Sequence, residues 1–201
     1  MVEIQPAILA HSEEEFMMKV TRVRAIGAPL HIDVMDGVFV NNTTWAPPEK
    51  MRSLLDCVEF EAHLMVANPE QVAPLWLAAG ARRVIVHAET THSSSLCDKK
   101  NISIALNPDT PISHAEHCEN ICVMGVMPGW SGQPFQEIAL EKIVALKKEN
   151  PSCKITVDGG VKLENIRAIA EAGADVIVIG SALTDAENPE TTYRQFKERL
   201  G

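Results

Sequence analysis

No run of apolar residues in this chain is long enough to cross a bilayer, so no membrane partner is expected. The stretch from Met1 to Pro6 lacks a basic region leading into an apolar one, and a signal peptide is not expected either. Cysteine is sparse and shows no CxxC pair. The five residues, at 57, 97, 118, 122 and 153, are odd in number and read as reduced thiols in a cytoplasmic protein. Positive charge is in short supply: Lys and Arg number 18 against 27 Asp and Glu, for a net charge of −9. That balance argues against nucleic acid as the main partner. It leaves room for a small anionic ligand, because backbone N–H groups and a metal can supply local positive potential. No linker, low-complexity stretch or composition break divides the chain, which reads as one domain over 1–201. With 46% hydrophobic and 22% charged residues it can bury a sizeable core.

What is present is a regular alternation of strand-like apolar runs and helix-like segments. Strands are expected at 4–9, 30–34, 59–65, 83–88, 102–106, 121–126, 154–157 and 175–179. Ser12 followed by three glutamates signals a helix start, with the helix running to about Ile26 before Gly27. Further helices are expected over 48–55, 69–79, 138–149, 162–172 and 189–200, with short ones near 113–117 and in a reduced segment over 90–101. Eight strand–helix units point to an α/β fold, a single (β/α)8 TIM barrel, with a doubly wound open sheet as the rival. The polar residues at strand C-terminal ends favour the barrel, where those ends share one mouth.

The central stretch is His31-Ile32-Asp33-Val34-Met35-Asp36-Gly37. Side chains alternate along a strand, so His31 and Asp33 share a face. His63 at the third strand and Asp158 at the end of the seventh occupy the same kind of place. Two imidazoles and two carboxylates suit one divalent ion of the Zn, Mn, Fe or Co type better than Ca or Mg. Asp33 and Asp158 also suggest chemistry. A flat intermediate held between them would meet one carboxylate on each face. One could remove a proton beside a carbonyl and the other return it to the opposite side, inverting a carbon centre. A metal would stabilise the enediolate between the steps. Three turns of small residues would suit a phosphate: Gly129-Trp130-Ser131-Gly132, Gly159-Gly160 and Gly180-Ser181.

The sequence resembles the ribulose-phosphate 3-epimerase family along nearly its whole length. The matching residues are Pro6 to Ala10, His31 to Gly37 with Phe39-Val40, His63 to Val66 with Asn68-Pro69-Glu70, Asn107-Pro108 with Thr110-Pro111, Met124 with Pro128-Gly129 and Gly132-Gln133, Val157 to Val161, and Gly180-Ser181. The resemblance implies a TIM barrel that interconverts D-ribulose 5-phosphate and D-xylulose 5-phosphate with one divalent metal. It implies that His31, Asp33, His63 and Asp158 are ligands and that Asp33 and Asp158 are the acid–base pair. The glycine turns, with Trp130, Ser131 and Ser181, would bind phosphate, His63 would lie against the substrate, and Met35, Met65 and Met124 would line the site. Apolar packing accounts for each methionine equally well. A homo-oligomer is a family-level expectation.

The chain departs from the family pattern at several contact positions. Ala7 stands where a substrate-facing serine is usual, Val38 and Asn41 replace His and Pro, Met127 replaces Asn, and Trp130 and Ser131 replace Phe and Gly. These departures leave two other readings open: an epimerase of a related ketose phosphate such as a hexulose 6-phosphate, and a non-catalytic sugar-phosphate binder. A decarboxylase of the same barrel type fits less well. Its site would resemble Asp-x-Lys-x-x-Asp, whereas Asp33-Val34-Met35-Asp36 has no lysine.

Overall fold

The computed structural model describes residues 2–91, 100–115 and 117–201. Eight parallel strands close on themselves in chain order. They are β1 (Glu3–Ile8), β2 (Leu30–Met35), β3 (Phe60–Met65), β4 (Arg83–His87), β5 (Ile102–Leu106), β6 (Asn120–Met124), β7 (Lys154–Asp158) and β8 (Val176–Ile179). The helices described are α1 (Glu13–Val23), α2 (Pro48–Leu55), α3 (Pro69–Ala78), α4 (Ile138–Glu149), α5 (Ile166–Ala172), α6 (Ser181–Thr184) and α7 (Pro189–Leu200). The chain is therefore a (β/α)8 barrel, and the open sheet is excluded by the β1–β8 pairing.

Local chemistry explains the helix limits. Ser12 accepts the Glu15 N–H and three glutamates fill the first turn of α1, which buries Phe16, Val20 and Val23 and passes into a 3₁₀ turn, Arg24–Ile26, before Gly27. Asn188 caps α7 in the same way, with Pro189 at its first position. The helix expected from Lys162 begins only at Ile166. Asn165 is the cause: its side-chain oxygen takes the Lys162 N–H and its amide donates to the Gly160 carbonyl, holding 162–165 in a turn. Near 113–117 there is a 3₁₀ turn over Ile112–His114. Most of the reduced helix expected over 90–101 lies outside the described residues. The thiol reading is corrected at Cys118, which is disulfide-bonded. Sequence spacing does not reveal which sulfurs meet in space. Cys57, Cys122 and Cys153 are free.

The strand register advances one residue per strand and returns to its start, the stagger of an eight-stranded barrel. The interior is therefore stacked in layers taken from alternate strands. The floor layer is Gln5, Glu61, Ser103 and Thr156, all buried and all polar. Above it lie His31, Ile85, Cys122 and Val178, then Ala7, His63, Ala105 and Asp158. Asp33, His87, Met124 and Gly180 follow at the mouth. The polar cluster thus rises through three successive layers on top of an interior that is closed from below. Outside the strands, α1, α4 and the other helices bury one apolar face each against the sheet.

Candidate functional site

At the strand C-terminal ends a cavity of about 590 Å³ opens to solvent. Its wall includes Ala7, Asp33, Asp158 and the three methionines, Met35, Met65 and Met124. Gly129, Trp130, Ser131, Gly132, Gly159, Gly160, Gly180 and Ser181 line it as well, so every turn residue singled out in the sequence reaches the same space. His31 and His63 lie below this wall, fully buried.

The four polar residues converge. One ligand-type atom from each of His31, Asp33, His63 and Asp158 lies within 4.8 Å of all the others. His31 Nε2 stands 3.5 Å from Asp33 Oδ1 and 3.7 Å from Asp158 Oδ2. His63 Nδ1 stands 3.4 and 3.2 Å from the same two oxygens. The two ring nitrogens face each other at 3.2 Å. Asp33 Oδ1 is buried without a hydrogen-bond partner. Separations of this size suit four donors sharing one ion at about 2.0–2.2 Å from each. An orphaned carboxylate oxygen aimed into the centre supports the same fit.

Electrostatics point the same way. Burial works to lower the pKa of His31, but the adjacent Asp33 carboxylate, the bond to Glu61 and the charge of Asp158 raise it well above the ordinary value. Burial likewise opposes the rise at His63, where Asp158 and Asp33 prevail. Burial would raise Asp33, yet the two imidazoles pull it down to about 2. The centre of the cluster is a place that holds positive charge.

Neighbouring loops fix these groups. Thr44 donates its hydroxyl to the Asp33 carbonyl and accepts the Met35 N–H, both at 2.9 Å, which pins the end of β2. Asp36 accepts the Val38, Phe39 and Ala67 N–H groups, tying the loops after β2 and β3 together. Asn42 donates to the Gly129 carbonyl at 2.7 Å and joins the β2 loop to the β6 turn. Behind His31, Glu61 Oε1 accepts from Nδ1 at 2.9 Å. Sequence reasoning missed Glu61. Its signal was a charged residue two positions before His63, on the same inward face of an otherwise apolar strand.

The model of the ribulose-phosphate 3-epimerase family matches residues 3–184. The chain belongs to that family. Among its relatives are the ribulose-phosphate 3-epimerases of Aquifex aeolicus, 37% identical with 85% of this chain and 84% of the relative covered, and of Schizosaccharomyces pombe, 36% identical with 94% and 89% covered. These relatives are isomerases by name. KGPDC from Streptococcus mutans superposes with a TM-score of 0.74 over 99% of this chain and 97% of its own, at 16% identity. A 3-hexulose-6-phosphate synthase does so with 0.73 over both full chains at 18% identity. At such identities these structures testify to the barrel alone. Among the described residues no helix is long and apolar enough to cross a membrane.

Proposed function

We propose that this family member is a metal-dependent epimerase that inverts C3 of D-ribulose 5-phosphate to give D-xylulose 5-phosphate. The observation that carries the reading is that Asp33 and Asp158 both line the cavity while both contact the same two buried imidazoles. A ketose lying between them has one carboxylate toward each face of C3. One aspartate takes the C3 proton, which is acidic because it neighbours the C2 carbonyl. The enediolate that results is flat at C3, and the other aspartate returns a proton from the opposite side. His31, Asp33, His63 and Asp158 would hold one divalent ion, whose charge lowers the cost of the negative oxygen that develops. The imidazoles stay buried beside the carboxylates, and their inner nitrogens would serve as ligands.

Gly159, Gly160, Gly180 and Ser181, with the Gly129–Gly132 turn, would take the phosphate through backbone N–H groups. Met35, Met65 and Met124 would form the apolar wall that keeps water from the reacting carbon. Pentose phosphate metabolism, a cytoplasmic setting and a homo-oligomer accompany this reading as expectations.

The test is to incubate the protein loaded with Zn, Mn, Fe or Co with D-ribulose 5-phosphate in D₂O and follow the sugar by NMR. Deuterium at C3 together with xylulose 5-phosphate is the expected result. Ala7 on the cavity wall, a small apolar group, motivates a second substrate, a hexulose 6-phosphate. Turnover of that sugar alone would replace the first reading, and binding with no exchange for any sugar would favour a non-catalytic binder.

A further inference from the structure

His63 has a second nitrogen that the cluster does not use. Its Nε2 lies 2.9 Å from Nε2 of His87, with the two ring planes 13° apart. His87 is fully buried at the end of β4, and its Nδ1 lies 3.2 Å from Glu89 Oε2. The other oxygen of Glu89 accepts the Asn107 N–H at 3.0 Å and the Thr110 hydroxyl. Lys142 on α4 donates to the carbonyls of those same two residues, Asn107 at 2.5 Å and Thr110. Phe39 packs on the His87 ring at 4.8 Å between centroids. A continuous hydrogen-bonded chain, buried except at the exposed residue Glu89, therefore runs from the cluster to helix α4.

Proton accounting along this chain has one solution when His87 is neutral. A carboxylate only accepts, so the His87 proton sits on Nδ1 and is donated to Glu89. Nε2 of His87 is then an acceptor. The proton between the two rings belongs to His63 Nε2, and the lone pair of His63 Nδ1 is left facing Asp33 and Asp158. For His31 the same result is reached directly, through Glu61 on Nδ1.

We infer that His87 and Glu89 are positioning residues that lock His63 in the tautomer able to ligate a metal. This rests on the metal reading of the cluster given above. Outer partners of metal-bound histidines commonly act in this way, and their loss typically weakens metal binding about 10–100-fold.

Glu89→Gln is the decisive variant. The Asn107 N–H can only donate, so it claims the new amide oxygen and turns the NH₂ toward His87 Nδ1. That reverses both rings and puts a proton on His63 Nδ1, inside the cluster. Zinc affinity is measured by competition with a chelating dye, alongside urea unfolding of the metal-free protein. Glu89→Gln should lose about 10–100-fold in zinc affinity. Thr110→Val, which removes a bond to Glu89 but leaves its charge on His87, should keep wild-type affinity whatever it does to stability. His87→Leu should lose affinity like Glu89→Gln, and His87→Gln, which can accept from His63 and donate to Glu89, should recover most of it. The last pair serves if Glu89→Gln fails to fold. Wild-type affinity in Glu89→Gln or His87→Leu, or an equal loss in Thr110→Val, overturns the inference while leaving the metal site standing. A wild-type protein that takes up no divalent metal overturns the metal reading and this inference together.

Discussion

Gly125, just beyond β6, and Gly159, just beyond β7, are in closer contact than any side chain at 125 would permit. A methyl group on Gly125 would lie 2.3 Å from the Gly159 carbonyl oxygen and 2.7 Å from the Phe135 ring. The Gly125 N–H also donates to the Asp158 carbonyl at 2.7 Å, so the contact fixes the strand end that carries Asp158. Gly125→Ala must push β7 aside. The expected cost is about 1–3 kcal/mol in urea unfolding, with a loss of activity larger than that destabilisation explains. Unchanged stability would mean that the two strand ends separate freely.

Asp33→Asn and Asp158→Asn should each cut epimerisation by about 10²–10⁴-fold. They should not be equivalent in D₂O. With one carboxylate left, exchange at C3 should persist for only one of the two epimers, and the favoured epimer should differ between the variants. NMR of each variant with ribulose and with xylulose 5-phosphate reads this directly. Exchange of the same epimer in both variants would contradict an assignment of one aspartate to each face.

Asp175 straps helix α4 to the barrel. It accepts from Lys147 Nζ at 2.8 Å and from the Ile155 N–H at 2.9 Å. Burial would raise its pKa, but those partners bring it below the usual carboxylate value. A depressed folded pKa means that the stabilisation is fully present above the unfolded pKa of about 3.9 and disappears as pH falls through the lower folded value. Asp175→Asn should therefore cost about 1 kcal/mol at pH 7, because the pair is only partly exposed. The gap from wild type should narrow as pH falls below about 3.9. A gap that stays constant between pH 7 and pH 3 would show that the charge contributes nothing.

Much of this architecture was legible in the sequence, and the parts that were not share a cause. The limits of α4 and α7 and the start of α1 follow from caps, prolines and helical spacing, which are local. The four cluster residues were legible because strand ends in a barrel share a mouth. Glu61 and the His87–Glu89 pair were not assigned a role. Barrel strands are buried on both faces, so periodicity does not say which residues turn inward. That phase comes from the register: His31 pairs with Glu61 and Asp33 with His63, and His87 lies one step along the stagger from Leu64 and Val86. The late start of α5 depended on how Asn165 spends its amide, and the disulfide at Cys118 on an approach through space.

Ser12 offers a test of stability without chemistry. It caps α1 by accepting the Glu15 N–H at 3.1 Å, on the outer surface of the barrel. Ser12→Ala should cost about 1 kcal/mol in urea unfolding and leave turnover unchanged. A matching loss of turnover would tie α1 to the mouth in a way that the contacts above do not.

Ala7 is the position where this chain's own chemistry is most open to change. It shares a barrel layer with His63 and Asp158, lines the cavity and is buried. A methyl built on Gly180 would touch its Cβ at 3.8 Å, so the space beside it is only as wide as a small side chain. A hydroxyl there would face the sugar and would add a hydrogen bond, worth about 0.5–1.5 kcal/mol. Ala7→Ser should therefore lower KM for a ketose phosphate by about 2–10-fold, provided the substrate has an oxygen at that wall. If the contact strengthens as charge develops at the C2 oxygen, kcat should rise as well. The comparison should be run with a pentulose and a hexulose phosphate. A gain confined to the pentulose would mean that Ala7 tunes an enzyme already built for the shorter sugar. A gain confined to the hexulose would mean that the wall at Ala7 faces a longer chain, and would make the second substrate the better description of this site.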